Sequence, residues 1–543
     1  MSEKRLSVEK KVRVDNVINE SSSETSSTDL INTLPSECLA KIFMCLDVFD
    51  RMEIRKNFPT QVLNTLPEGV DEITLSTFPV CPFDCNLEKF HGLRILNLEN
   101  YSLNKNTMQE IAKKTTIVKL SLDSCHIENE DAALISDPIN LETLHLSGSC
   151  VSEECVIRTV KNCKTIRTLK TLKKFHGLRI LHLEKCLLKK NTMQEIAQKT
   201  TIVKLSLDSC RIENEDAALI SNPINLETLH LRGSCVSEEC VIRTVKNCKT
   251  IKSLMVDCDL SLFAFGQISQ LNTLKCLNVH HVDNLSVIRI LSSLKNLTEL
   301  HMNYCKSISN VVLQDIGRLR GLECLVLSHS YGNNNVDDDV IISISNNCNK
   351  LKRFELSNCK DATASALRQL AKLKNLEVLS LEMVKNFDDD VFIDIVSECK
   401  NLNSLKIDTC FKLTDIGLKN IAKLENLETL HLVMIGNTHI SDAILNGVYK
   451  LKSLFSVAAV GFTVEGLKML FKNCSNLQDF ASSCGPINDD EVLSCAVEET
   501  CRRTNNTLLT INIKDSKILE QSYEKFKHTA SLSPLLKFAG QNL

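Results

Sequence analysis

The most regular feature of the chain is a recurring pattern of apolar positions, L-x-x-L-x-L-x-x-C/N. It is complete in LTELHMNYC (Leu297 to Cys305), LKRFELSNC (Leu351 to Cys359) and LNSLKIDTC (Leu402 to Cys410). Apolar residues at the fourth and sixth positions flank a variable fifth residue, which is the period of a β-strand with one buried face. Weaker copies, mostly about 23 to 29 residues apart, begin at Leu93, Ile117, Leu141, Leu178, Ile202, Leu226, Ile251, Leu274, Leu322, Leu376, Leu427, Leu451, Leu477 and Leu508.

Each strand pattern is followed by apolar residues at helical spacing. In LTDIGLKNIAKL, for example, Ile416, Leu418 and Ile421 recur at intervals that suit one face of a helix. A single strand–turn–helix unit cannot bury its own apolar face, so neighbouring units must stack. The sequence therefore predicts an α/β fold over residues 66–520, a curved solenoid with a parallel inner sheet and outer helices. The pattern resembles the cysteine-containing subclass of leucine-rich repeats.

Two consecutive stretches of the repeat region are nearly the same sequence. Residues 90–169 return as residues 175–254, offset by 85 positions, and most of the changes fall on polar residues. Several changes, such as Ser147→Arg232, make the second copy more positive, so the two copies share a scaffold and present different surfaces. Because the interval from Ile166 to Leu178 is only about 12 residues, we predict that the last motif of the first copy forms no inner strand.

Cysteine is abundant, with 25 residues, yet its positions indicate packing. No C-x-x-C pair is matched by a second pair or by histidines, and a thiol that alternates with leucine at one motif position acts as a small buried hydrophobe. Cys81 and Cys85, with His91 nearby, form the one close grouping, for which a metal stays open as an alternative. We predict that ten cysteines in two motif columns are buried, reduced and free of metal: Cys125, Cys210, Cys305, Cys359, Cys410, Cys163, Cys248, Cys348, Cys399 and Cys474.

Three acidic clusters stand where outer helices should begin, at residues 337–339, 388–390 and 489–491. A calcium loop would space its ligands at alternate positions and add a glycine and a distal glutamate, whereas these carboxylates are contiguous. Aspartate at a helix start accepts hydrogen bonds from unpaired backbone N–H groups and interacts favourably with the helix dipole. We therefore interpret the clusters as helix caps.

Charge and apolar content exclude several classes of protein. The net charge is −3 and 43% of the residues are hydrophobic, so the chain should fold and has no strong positive field for binding nucleic acid. We expect no export signal in the first residues and no membrane span, because no run of about 18 apolar residues occurs. The expected location is cytoplasmic or nuclear.

The two ends of the chain differ from the repeats. Residues 1–28 contain SSSETSSTD and many charges, which predicts a disordered N-terminal arm. Residues 29–65 include INTLPSECLAKIFMCLDVFDR, whose apolar residues follow helical spacing after Pro35. Residues 521–543 are expected to form a C-terminal cap or tail.

The segment LPSECLAKIFMCLDVFDR resembles the first half of an F-box, the helical module that binds the Skp-type adaptor of cullin-based ubiquitin ligases. The second half departs from the family pattern, since MEIRKNFPTQVLN lacks the usual valine-cysteine and tryptophan signature. The position of this segment directly before the repeats supports the resemblance, because an F-box followed by cysteine-type leucine-rich repeats is a known family architecture. By match, the adaptor-binding residues are Leu34, Pro35, Leu39, Ile42, Phe43 and Leu46.

The resemblance implies a substrate receptor of an SCF-type E3 ubiquitin ligase, in which the repeats bind a protein destined for ubiquitin-dependent proteasomal degradation. Such a subunit is not an enzyme and needs no cofactor, and the sequence has no phosphate-binding glycine loop, G-x-S-x-G or H-E-x-x-H. The expected partners are the Skp-type adaptor with its cullin core and an unknown protein substrate. The alternative is a leucine-rich-repeat scaffold or inhibitor whose N-terminal helix only caps the core.

The fifth motif position should point away from the core, toward the concave face of the solenoid. We predict that this inner column binds the protein substrate, chiefly through His145, His182, His230, His301, Glu355, Lys406 and His431. A metal ladder is disfavoured, because His145, His230, His301 and His431 are separated by at least one intervening strand. The remaining alternative is that imidazole simply tolerates a half-exposed pleated surface. The full inner column is Asn97, Ser121, His145, His182, Ser206, His230, Asn278, His301, Val326, Glu355, Ser380, Lys406 and His431.

Overall fold

The structure is a computed structural model that covers most of the repeat motifs. The chain divides into two compact units, Met1–Cys258 and Asp259–Leu543. The residues that the structure describes are 11–17, 53–55, 69–83, 87–127, 141–147, 178–199, 201–212, 220, 225–234, 236–280, 290–303, 314–328, 336–433, 442, 452–457, 463–483, 495–496, 498–500, 502–503, 505, 509–513 and 536–540.

The first unit contains a ladder of parallel strands. Its described strands are β1 (Lys11–Val17), β2 (Glu53–Arg55), β3 (Glu72–Pro82), β4 (Ile95–Leu103), β5 (Lys119–Asp123), β6 (His126–Ile127), β7 (Thr143–Ser147), β8 (Ile180–Glu184), β9 (Leu187–Leu188), β10 (Lys204–Asp208), β11 (Arg211–Ile212), β12 (Thr228–Leu231) and β13 (Ser253–Val256). The ladder runs β2-β1-β3-β4-β5-β7-β8-β10-β12-β13, and short pairs join β6 to β4 and β9 to β11. The described helices are α1 (Lys105–Lys113), α2 (Lys190–Ala197) and α3 (Glu238–Asn247).

The second unit repeats the arrangement, and each of its strands pairs in parallel with the next in sequence. Its described strands are β14 (Cys276–His280), β15 (Glu299–Asn303), β16 (Cys324–Ser328), β17 (Arg353–Ser357), β18 (Val378–Glu382), β19 (Ser404–Asp408), β20 (Thr429–Val433), β21 (Ser453–Val457), β22 (Asp479–Ser483), β23 (Leu509–Ile513) and β24 (Leu536–Gly540). Its described α-helices are α4 (Leu262–Ile268), α5 (Asp338–Asn347), α6 (Ala364–Arg368), α7 (Asp389–Glu398), α8 (Asp415–Leu418) and α9 (Val464–Asn473), with 3-10 helices at Gln314–Arg318, Gln369–Lys372 and Lys419–Lys423.

The strands follow the motif in register, which confirms the predicted leucine-rich-repeat fold. In β18, Leu379 and Leu381 are buried and Ser380 between them is half-buried, as the period of the motif requires. Leu379 lies opposite Phe354 of β17 and Leu405 of β19, so each fourth-position residue packs beside its counterparts in the neighbouring repeats. Among the described helices, none combines the length and apolar character needed to cross a bilayer.

The junction between the two sequence copies omits a strand, as predicted. β7 of the first copy pairs directly with β8 of the second, with Thr143 opposite Ile180 and Ser147 opposite Glu184. In the second copy the last motif does form a strand, β13, and it buries Val256 at the sixth position. The first copy has Thr171 at the matching position of its sequence. Residues 148–177 lie outside the described residues.

The structure differs from the sequence prediction near both ends. Within the predicted disordered arm 1–28, Lys11–Val17 is a strand that places Val12 and Val14 opposite Ile73 and Leu75 of β3. The alternating valines of KVRVDNV continue the strand period, and the serine-rich composition of the arm hid this signal. β2 lies in the predicted helical segment 29–65, and β24 extends the ladder into the predicted tail 521–543. The six predicted adaptor-binding residues lie outside the described residues.

The cysteine columns are apolar packing positions in the part of the chain that the structure describes. Eight of the ten predicted cysteines are described there, and all eight are buried free thiols. Burial raises the pKa of the Cys410 thiol to about 12, so it stays protonated, and the Cys359 thiol donates to the Val336 carbonyl oxygen over 3.3 Å. Cys163 and Cys305 lie outside the described residues.

Aspartate caps the helices, as predicted. The side chain of Asp337 accepts the Val340 N–H at the start of α5, and that of Asp388 accepts the Val391 N–H at the start of α7. The cluster at 489–491 lies outside the described residues. Each capping oxygen satisfies a backbone donor that the helix itself leaves unpaired.

A second set of aspartates links successive repeats, which the sequence did not predict. The carboxylate of Asp389 accepts both the backbone N–H and the hydroxyl of Thr414, at 2.7 and 2.6 Å. Thr414 itself caps α8, so one repeat fixes the helix start of the next. A Cβ on Gly417 would lie 2.5 Å from Asp389 Oδ1, which explains the glycine there. The same double acceptance joins Asp338 to Thr363 and Asp442 to Thr463.

We expect Cys410→Ser to lower the free energy of unfolding by about 1–3 kcal/mol, because the buried hydroxyl would lack a close acceptor. The carbonyl oxygens nearest the Cys410 sulfur lie at 3.5 and 3.9 Å, and a serine oxygen extends less far. The control is Cys276→Ser, at a half-buried position, and it should change stability much less. Urea denaturation of both variants checks this, and equal losses would contradict it.

We expect Asp389→Ala to lower the free energy of unfolding by about 1.5–3 kcal/mol, because it leaves two donors of Thr414 without their charged acceptor. The matched control is Asp390→Ala, whose exposed carboxylate pairs with the Arg368 guanidinium. It should cost no more than about 1 kcal/mol. The prediction fails if the two variants denature at the same urea concentration.

Candidate functional site

The predicted inner column exists as a row of aligned residues within each unit. In the first unit Asn97, Ser121, His145, His182, Ser206 and His230 follow one another across neighbouring strands. The second unit aligns, in order, Asn278, His301, Val326, Glu355, Ser380, Lys406 and His431. Ser206 and Val326 are buried and the others are half-buried, so the column forms a continuous, partly accessible surface on each ladder.

Four of the five histidines of the column are held largely neutral. Burial lowers the pKa of His145, His230, His301 and His431 below the usual value, and nearby positive or imidazole groups add to the effect at His145 and His431. The usual pKa of histidine predicts from the sequence that this face gains charge as the pH falls through about 6.5. The structure corrects this prediction, because these four side chains take up protons only at a lower pH.

The charged residues of the column in the second unit are paired along the same face. Lys406 Nζ lies 3.6 Å from a carboxylate oxygen of Glu382, and Arg353 Nε donates to Glu355 over 2.6 Å. These pairs leave polar side chains of both signs exposed to a partner. The face is therefore suited to hydrogen-bonded recognition of another protein surface, in which mixed polarity gives specificity.

A cysteine and a histidine also meet on this face, but not in a form that suits catalysis. Cys324 Sγ lies 3.6 Å from His301 Nε2. Burial raises the pKa of the Cys324 thiol to about 11, so the nucleophilic thiolate is scarce at neutral pH. Burial also lowers the pKa of His301. This pair therefore acts as a polar contact within the sheet.

Two histidines of the column, His145 and His182, lie on adjacent strands and so are close enough to share a metal ion. His182 lies directly beside His145, because β7 pairs with β8, and the two rings meet edge to face with centroids 4.2 Å apart. Glu184 follows two residues after His182 on the same face of β8. The signal was present in the sequence, since the predicted loss of one strand at the junction already makes these two histidines neighbours.

Comparisons with known proteins match only part of the chain. No family model matches it. A segment of 165 residues is 29% identical to F-box/LRR-repeat protein 4 from Bos taurus, covering 29% of this chain and 26% of that protein. Another match, to the putative RNA-binding protein EEED8.10 of Caenorhabditis elegans, is 26% identical over 185 residues, 33% of this chain and 24% of that protein. The chain thus spans about a quarter of the length of these curated relatives.

Solved structures include similar chains. The crystal structure of the Rad7 and Elc1 complex in yeast aligns with 71% of this chain and 87% of that chain, at 16% identity and a TM-score of 0.45. The name of the bovine relative includes leucine-rich repeats, which is the fold that this structure shows.

We expect acidification to destabilise the fold through the column histidines. Unfolded histidine takes up a proton near pH 6.5, whereas the folded pKa of His230, His301 and His431 is lower. The unfolded chain therefore binds more protons between these values, and stability falls as the pH drops from about 7 toward 5. The urea concentration at the midpoint of unfolding is measured at a series of pH values. Replacing these three histidines with glutamine should make this midpoint fall less between about pH 7 and 5. An unchanged slope would contradict the assignment.

Proposed function

We propose that the chain is the substrate-recognition subunit of an SCF-type E3 ubiquitin ligase. In this proposal the F-box-like segment 29–65 binds the Skp-type adaptor and thereby the cullin core. The repeats hold a target protein so that partner subunits can transfer ubiquitin to it for proteasomal degradation. The chain itself supplies binding surfaces and performs no chemistry.

The observation that carries the proposal is the relative named F-box/LRR-repeat protein 4, which combines the two features that the sequence combines. LPSECLAKIF at 34–43 supplies the adaptor-binding half of the resemblance, and the aligned parallel strands supply the repeats. A plain repeat scaffold would need only the second feature. The presence of both in the order of the family favours the ligase subunit.

The inner column supports the substrate-binding half of the proposal. It offers imidazoles, a carboxylate and an ammonium group on rigid strands, where recognition residues are held more firmly than on loops. His230, His301 and His431 are half-buried and largely neutral, so at neutral pH each can donate and accept a hydrogen bond. A target protein would be bound through hydrogen bonds with little net charge attraction.

The adaptor-binding proposal is tested with the double variant Ile42→Ala and Phe43→Ala. We expect the full chain to bind purified Skp-type adaptor and the variant to bind at least tenfold more weakly, with almost unchanged thermal stability, because an exposed docking patch adds little to the core. The matched control is Ile416→Ala with Phe411→Ala, which removes the same two side-chain types from exposed positions in the repeats. That control should bind the adaptor normally.

Two outcomes would contradict this proposal. One is that the unchanged chain does not bind the adaptor. The other is that the double variant unfolds at a much lower temperature, which would assign Ile42 and Phe43 to a helix that only caps the repeats. The triple variant His230→Ala, His301→Ala and His431→Ala tests the inner column in the same way, and proteins captured equally by both forms would place the substrate surface elsewhere.

A further inference from the structure

We propose that His145, His182 and Glu184 form a binding site for one divalent transition-metal ion of the zinc type. Within the part of the chain that the structure describes, these three residues form a group whose potential ligand atoms all lie within 4.8 Å of one another. Two imidazoles and one carboxylate are a known ligand set for zinc, with a fourth position left for water or another ligand.

Strand geometry brings the three ligands together. His145 and His182 are opposite residues of the paired strands β7 and β8, and adjacent parallel strands lie about 4.8 Å apart. Glu184 projects to the same face as His182 because side chains on one face recur every second residue. Tetrahedral zinc with bonds of about 2.0–2.1 Å needs ligand atoms roughly 3.3 Å apart. Side-chain rotations can close the remaining distance without moving the strands.

His145 has the hydrogen bonding that a ligand histidine needs. Its Nδ1 lies 3.2 Å from the Ser121 hydroxyl oxygen, while its Nε2 is buried without a hydrogen-bond partner. When Nδ1–H donates to Ser121, Nε2 carries a free lone pair, and ligand histidines are commonly oriented through the second nitrogen in this way.

Glu184 is held in place by two polar neighbours. Ser147 donates to Glu184 Oε2 over 3.2 Å, and Lys185 Nζ lies 3.1 Å from Oε1. The Lys185 side chain is 63% exposed and can swing away, which frees one oxygen for a metal ion.

The duplication supplies an internal comparison. His230 occupies the position of His145 in the second copy, but it lies between Ser206 and Met255, and its Nε2 is 3.3 Å from the Ser253 hydroxyl. Asn97 occupies the position of His182 in the first copy. Neither copy therefore contains the site by itself, and it arises where the last strand of one copy meets the first strand of the other.

Two imidazoles and one carboxylate favour some metal ions over others. Imidazole favours zinc, copper, nickel and cobalt over calcium and magnesium, which prefer all-oxygen sites. A bound ion would also join β7 to β8 at the junction, the two strands that residues 148–177 connect in sequence. The competing interpretation is an edge-to-face pair of imidazoles that needs no metal, and the experiment separates the two.

The test uses the full chain after dialysis against a chelator. It is titrated with zinc chloride under reducing conditions, and bound zinc per chain is measured by elemental analysis after gel filtration. We expect His182→Asn, which restores the residue of the first copy, and Glu184→Gln to bind one zinc fewer than the unchanged chain. The matched control is His230→Asn, which should bind as many ions as the unchanged chain.

Two further measurements show whether the variants are folded and whether thiols bind the zinc. Zinc should raise the Tm of the unchanged chain and of His230→Asn and should raise that of His182→Asn less, since a ligand that binds the folded state stabilises it. When cobalt replaces zinc in the unchanged chain, the visible absorption spectrum should show the bands of a tetrahedral site. It should lack the charge-transfer band that a thiolate ligand would add. Equal zinc content and equal Tm shifts in all variants would overturn the proposal.

Discussion

The structure depends on one constraint, that no repeat can bury its apolar face without its neighbours. The fourth- and sixth-position residues form continuous rows across the strands of each unit, as where Leu379 lies between Phe354 and Leu405. A shift of one residue in any strand would turn these side chains to the opposite face and expose them. Packing of the rows therefore fixes the register, and the register fixes where every other side chain of a repeat is presented.

This constraint explains what could be predicted from the sequence. The period of the motif specifies which residues are buried, so the parallel strands, the cysteine columns and the order of the inner column follow from aligning the motif copies along the sequence. Contacts between repeats do not follow in the same way. The hydrogen bonds from Thr414 to Asp389 join residues 25 positions apart, and neither residue belongs to the L-x-x-L-x-L motif from which the fold was predicted. Lys11–Val17 was also missed, because its three valines are too few to stand out in a polar segment.

The duplicated region shows how the neighbours of a residue decide its chemistry. His145 and His230 come from the same sequence position of the two copies, and both are half-buried with a lowered pKa. The first lies beside another imidazole and has an unsatisfied buried nitrogen, whereas the second has a serine hydroxyl near its Nε2 and a methionine beside it. Both histidines have a serine on the preceding strand, and they differ in the residue on the following strand, which is His182 beside His145 and Met255 beside His230. The short interval between the last motif of the first copy and the first motif of the second copy is what brings β8 beside β7.

The same logic bears on how the proposed receptor would bind a target. A surface made of one residue from each repeat can change one side chain at a time, because the buried rows that hold it do not change with it. The two copies illustrate this, since Asn97 and His182 differ while the apolar residues around them are the same. Rigid strands then fix the spacing of the polar groups at the spacing of the sheet. In this proposal, specificity for a protein partner would arise from the order of side chains along the column, in which neutral imidazoles such as those of His230 and His301 act as hydrogen-bond donors and acceptors.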